Sequence, residues 1–249
     1  MTANGCYSPF VTFDSINKNG SRLWNIQSFN AFERAFSAHR VPQFVFMSPN
    51  MMNDGHNTTL AFATSWSHNF IKRLVDDDAF AEKTLVMLTF DENEGRSGPN
   101  HIMTLLLGSA IPDDKKGTTD DTFYTHYSML SSIQENWALP HLGRYDVGAN
   151  VFNFMTAKTV GSKNKEPANA ASVDNSISYP GPLNDDTTKQ TPYPPPNSKL
   201  IGVNGLPILD SIRQRWASQS GVDTPYDGSG NVYDGDQNMP VYKAQAPNS

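Results

Sequence analysis

Three short stretches of this chain combine residue types that can do chemistry. Asp91-Glu92 follows directly on the apolar run Thr84–Phe90. Two adjacent carboxylates at the end of a strand repel each other unless a cation or strong donors sit between them, and a hard divalent cation takes oxygen ligands of this kind. The competing reading is a solvated acidic turn, since Glu94 and Gly95 follow. Asn53-Asp54-Gly55-His56 carries a turn-forming Asp-Gly and a histidine able to donate to a phosphate oxygen or ligate a metal. A plain surface turn has the same composition. Thr125-His126-Tyr127-Ser128 opens a helical pattern, and a helix N-terminus presents free N–H groups that favour an anion. Asp120-Asp121 upstream allows a purely structural alternative, a capping segment with Thr122 or Thr125 as N-cap. His39, His68 and His141 read as surface or packing residues, and His101 as a core or strand-edge histidine.

The elements that must hold these residues alternate in type. Gln43–Met47 is a β-rich run stopped at Pro49. Trp66, Phe70 and Leu74 recur at steps of four within 60–75, which predicts an amphipathic helix. Thr84–Phe90 and His101–Leu107 are almost wholly apolar, as central strands buried on both faces are. Met129, Ile133 and Trp137 again recur at steps of four, with Pro140 closing the helix. The pattern predicts an α/β fold with a mainly parallel sheet, whose chemistry belongs at the carboxyl ends of strands.

Composition narrows the function classes. The chain has 249 residues, 19 Lys and Arg against 25 Asp and Glu, and a formal net charge of −6. That excess of negative charge argues against a nucleic-acid partner held through phosphates and against attraction to an anionic membrane. No apolar run approaches the roughly 18–20 residues of a membrane-crossing helix. Cys6 is the sole cysteine, so neither a disulfide framework nor a cysteine zinc site is expected. Asn19-Gly20-Ser21 and Asn57-Thr58-Thr59 fit the glycosylation pattern, while the first residues lack the features of a signal peptide. Of the 17 prolines, 6 precede residue 161 and 11 follow. Residues 1–160 therefore read as the main domain and 161–249 as a Pro-rich extended tail, with one helix expected at about 206–218 from the spacing of Ile208, Ile212 and Trp216.

Taken together and in order, the stretches PFVTFDSI (9–16), FVFMSPNMMNDGHNTT (44–59), TLVMLTFDENE (84–94), LLLGSAIP (105–112), GTTDDTFYTHYSMLSSIQENW (117–137), LGRYDVGANVF (142–152) and SYPGPL (178–183) resemble fungal acid phosphatases of the phosphoesterase family, which also contains phospholipases C. The resemblance implies an alkaline phosphatase-like three-layer fold, here lacking its N-terminal part, and hydrolysis of phosphoric monoesters through a metal-assisted, serine-type phosphoenzyme. It implies Asp91 and Glu92 as ligands of a divalent metal ion of unspecified identity. His56 and His126 match histidines that contact the substrate phosphate or leaving group, and Asp54 a residue that orients the turn before His56. The nucleophile and a Glu-Asn pair completing the metal site belong to a family segment with no counterpart here. Ser48 and Ser128 are therefore not assigned as nucleophile. A small phosphorylated substrate and a secreted or wall-associated location also follow from the resemblance. The alternatives are a phospholipase C-like phosphodiesterase and a catalytically inactive remnant.

Overall fold

The computed structural model describes residues 8–94, 100–156, 164, 166, 186–188, 196–202 and 205–219. The stretch SYPGPL and all but the last proline of the run at 192–196 lie outside them. The chain divides into two units, Met1–Met87 with Leu106–Ile111, and Leu88–Leu105 with Pro112–Ser249.

In the first unit, helix α1 (Phe29–Ser37) and helix α2 (Leu60–Val75) carry the packing. Helix α2 occupies the span that the step-of-four spacing predicts. Thr59 caps it by accepting the Phe62 N–H at 3.2 Å, which satisfies one of the donors a helix start leaves unpaired. The two helices meet through rings: Phe29 lies 6.0 Å from Trp66 and 5.7 Å from Phe70, and Trp66 stacks on Phe70 at 5.2 Å. Aromatic pairs of this kind contribute about 0.5–1.5 kcal/mol each beyond their buried area. Arg73 lies over the rings of Phe36 and Phe70 and pairs with both carboxylate oxygens of Glu33. That guanidinium, by hydrogen bond and charge, holds the Glu33 carboxyl below its ordinary range despite the opposing effect of burial.

Strands β1 (Val86–Thr89) and β2 (Thr104–Leu107) form a two-stranded sheet. They run antiparallel, with Thr104 Oγ1 donating to Thr89 Oγ1 at 2.9 Å. The chain is thus a mixed α/β protein, but the described strands do not form the parallel sheet that the apolar runs predicted. Gln43–Met47 forms no strand, and β1 and β2 are shorter than their apolar runs. Neither is buried on both faces: β1 is half-buried throughout, and Leu105 is exposed. An apolar run reports a tendency to be covered; it carries no information about strand direction, which pairing decides. Gly108 ends β2 at φ +106°, where a Cβ would stand 2.2 Å from the Thr84 carbonyl oxygen. Only glycine permits that approach.

The second unit is built around helix α3 (His126–Trp137). It starts directly after Thr125, one of the two N-cap residues the sequence offers, and closes at Ala138, which takes left-handed backbone at φ 51°. One face of α3 is small and polar: Ser128, Ser131, Ser132 and Gln134 are all buried. Against it lies a loop with Asp146, Val147, Ala149, Val151 and Phe152 buried. The Phe152 N–H donates to Ser132 Oγ at 3.1 Å, and Asn150 donates to the Phe123 carbonyl at 2.8 Å. The last described segment adds to this unit. His141 and Ile208 form an isolated parallel bridge, with Leu209 N–H donating to the His141 carbonyl at 2.9 Å. Helix α4 (Asp210–Arg215) follows, inside the expected 206–218 stretch.

Candidate active site

Asp91 and Glu92 leave the end of β1 exposed to solvent. The Asp91 carboxylate turns back on its own loop, Oδ1 accepting the Glu92 N–H at 3.0 Å. The next backbone donor, Asn93 N–H, is taken by Asn100 Oδ1 at 2.8 Å, while Asn100 Nδ2 donates to the Asp91 carbonyl at 2.9 Å. The acidic pair is therefore held by hydrogen bonds to its backbone. Among the described residues, no group of three or more His, Cys, Asp or Glu side chains gathers where it could share a cation. A hard divalent ion takes six or more oxygen ligands, waters included. Asp91 and Glu92 supply hard oxygen atoms, but the pair does not by itself make a cation site.

His126 is the first residue of α3, and its placement follows from the cap. Thr125 is the N-cap residue, with extended backbone at φ −126° and ψ 174°. Its N–H donates to Ser128 Oγ at 3.0 Å, one half of a capping box in which a serine takes the place of the usual Glu or Gln. Ser128 is fully buried, so its hydroxyl serves the helix start. Upstream, Asp120 accepts from Thr122 N–H at 3.0 Å, Tyr124 Oη at 2.7 Å and Asn153 Nδ2 at 3.1 Å. Burial acts to raise the Asp120 carboxyl, but these hydrogen bonds outweigh it and keep it below its ordinary range. Burial and the Asp120 partner together push the Tyr124 phenol up. The capping alternative is thus met at Thr125, which takes the N-cap place and makes His126 the first residue of the helix.

His126 Nε2 lies 2.8 Å from the Asp91 carbonyl oxygen. A carbonyl only accepts, so Nε2 carries the hydrogen, and Nδ1 is the ring's remaining polar atom. The second unit thereby brings the His126 ring onto the backbone of the Asp91-Glu92 loop, although His126 and Asp91 stand 35 positions apart.

Asp54 and His56 belong to the first unit. Asp54 Oδ1 accepts the His56 N–H at 2.8 Å. Around them Asn50 Oδ1 accepts from Met52 N–H and Asn53 N–H, and Thr58 Oγ1 donates to the Met52 carbonyl at 2.6 Å. Asp54 and His56 are both exposed at the tip of this closed loop. Nothing in the sequence marks Asn50, Thr58 or Asn100 as a site residue. A lone Asn or Thr in a loop carries no spacing signal, and only its partners mark it.

The phosphoesterase family model matches residues 6–140. The chain belongs to the phosphoesterase family. Within that span lie Asp54, His56, Asp91, Glu92 and His126. Among curated members, a probable acid phosphatase of Kluyveromyces lactis is 44% identical over 213 residues, 86% of this chain and 49% of that protein. An acid phosphatase of Aspergillus niger is 41% identical over 84% of this chain and 50% of its own length. A phosphatidylinositol-3-phosphatase of Mycobacterium tuberculosis is 29% identical over 54% of the chain and 42% of its own length. The chain thus spans about half the length of the curated relatives it matches. No solved structure matches it. Residues 141–156 and the described part of 186–219 lie beyond the family match.

Proposed function

We propose that the chain takes part in hydrolysing phosphoric monoesters as an acid phosphatase of the phosphoesterase family, on an alkaline phosphatase-like three-layer frame. The reading is carried by the 41–44% identity to fungal acid phosphatases over more than four-fifths of the chain. It is supported by the juxtaposition of His126 with the Asp91-Glu92 loop inside the matched span.

In this reading His126 faces the substrate phosphate through Nδ1, because Nε2 is engaged by the Asp91 carbonyl. When protonated, Nδ1 donates to a phosphoryl or leaving-group oxygen, which favours acidic pH. The start of α3 adds the positive end of a helix dipole beside His126. His56, oriented by Asp54, is a second phosphate-facing histidine of the proposed site. The divalent cation implied by the resemblance is proposed only with ligands from beyond the described residues, Asp91 and Glu92 being two of its oxygen donors. No step here is routed through it. No hydroxyl of this chain is assigned as the nucleophile, and Ser128 is engaged by the Thr125 N–H. A small phosphorylated substrate and a secreted or wall-associated location complete the proposal; Asn19 and Asn57, its glycosylation acceptors, are both exposed.

Hydrolysis of an aryl phosphate between about pH 4 and about pH 8, together with vanadate binding, tests the reading. Vanadate binding that weakens in His126→Ala is the expected result, and any hydrolysis is expected to be strongest on the acid side. A folded chain that neither hydrolyses the ester nor binds vanadate overturns it.

A further inference from the structure

The Asp91 carbonyl joins two parts of the second unit. A carbonyl oxygen has two lone pairs, and here two donors approach it, His126 Nε2 at 2.8 Å and Asn100 Nδ2 at 2.9 Å. The same Asn100 amide accepts the Asn93 N–H at 2.8 Å through Oδ1. One side chain thus spans the acidic loop, donating before Glu92 and accepting after it. Two adjacent carboxylates on an exposed loop repel each other, and backbone hydrogen bonds are what restrain such a loop where no packing does.

We propose that Asn100 is a positioning residue: it fixes the Asp91-Glu92 loop and, through the shared Asp91 carbonyl, the orientation of the His126 ring. The inference rests on the reading of His126 as phosphate-facing. Partners that orient metal-ligating histidines typically change metal affinity or activity by about 10–100-fold when removed, and the lower end of that scale is the effect expected for this ring. With the carbonyl held in place, the Nε2–H bond keeps Nδ1 aimed in one direction. With the carbonyl released, the exposed ring rotates and its two nitrogens lose their distinct surroundings.

Two-bond proton–nitrogen spectra of the histidine rings in the full chain test this, with inorganic phosphate as the probe. In the unsubstituted chain His126 gives the pattern of a ring held with its hydrogen on Nε2, and its signals move on phosphate addition. In Asn100→Ala the His126 nitrogen signals move toward those of the exposed His68, while the buried His141 of the same unit is unchanged. About tenfold more phosphate is then needed for the same response. An unchanged His126 pattern and an unchanged phosphate response in Asn100→Ala overturn the proposal. If His141 shows that Asn100→Ala has lost its fold, Asn100→Asp decides. It keeps the acceptor for Asn93 N–H and lacks the donor to Asp91, so the same displacement of His126 is expected, and its absence overturns the proposal. A distinct result marks failure of the functional reading instead: phosphate leaves His126 unmoved in the unsubstituted chain, although Asn100→Ala still displaces its ring signals.

Discussion

Gly202 lies against the imidazole of His141 so closely that a Cβ on Gly202 would stand 1.9 Å from Cδ2 and 2.0 Å from Nε2. His141 has no exposed surface, and on its other side Nδ1 faces Asp146 Oδ2 at 3.4 Å. The segment around Gly202 is closed by its own hydrogen bond, Gly202 N–H to the Leu206 carbonyl at 2.9 Å, and pairs with His141 through Ile208. A buried histidine, a buried carboxylate and a glycine thus dock residues 196–202 and 205–209 onto the loop that follows α3.

Gly202→Ala should detach that segment. The methyl group cannot coexist with the ring, and an overpacked buried contact costs about 1–3 kcal/mol. Faster proteolysis within 196–209 and a lower melting temperature are expected. Unchanged melting and cleavage would show that the contact is not maintained in solution.

Asp146 gives the same docking a pH dependence. Burial acts to raise its carboxyl, but the facing His141 ring and hydrogen bonds from Leu142 N–H, Gln134 and Arg144 N–H outweigh burial and hold it below the ordinary 3.8. The unfolded chain therefore binds this proton more readily than the folded one, so stability rises with pH across the interval between the two values. The contribution is intact above the ordinary value and is lost as the pH falls through the lowered one. Denaturant melts at about pH 7 and about pH 3 should show that loss, and Asp146→Asn should flatten it. Removing the charge leaves strong donors facing a weaker acceptor, at a cost of about 2–3 kcal/mol at neutral pH.

Ser128→Ala should weaken the start of α3. It leaves the Thr125 N–H without its acceptor in a half-buried position, at a cost of about 1 kcal/mol. Because His126 stands between the two, its ring signals should shift along with the stability. A stability loss with His126 unmoved would mean that the cap does not place the histidine.

His126→Ala should weaken vanadate binding by about tenfold, a contribution of about 1.4 kcal/mol. His68→Ala, which removes an exposed histidine of α2 in the first unit, should leave binding unchanged. Equal effects from both substitutions would deprive His126 of its assigned role.

The local elements were legible in the sequence where their cause is local. Helix α2 shows in the spacing of Trp66, Phe70 and Leu74 because helical periodicity is a property of neighbours. The end of α3 before Pro140 is legible because proline cannot continue a helix, and Asp91-Glu92 stands out because it follows directly on an apolar run. Ordered motifs also sufficed to indicate the family, since each is a short contiguous string. Strand direction was not legible: an apolar run such as Thr84–Phe90 has the same composition whichever way its partner runs. Nor was the Asp91 carbonyl that holds His126, because a backbone oxygen has no letter in the sequence. Asn100 reads as an ordinary loop residue, and His141 as one surface or packing histidine among several. Their roles arise from partners 9 and 35 positions apart at the Asp91 carbonyl, and from Gly202 brought onto the His141 ring. Only the folded chain brings such partners together, because a long-range contact is set by how the elements pack and not by what stands next to a residue in sequence.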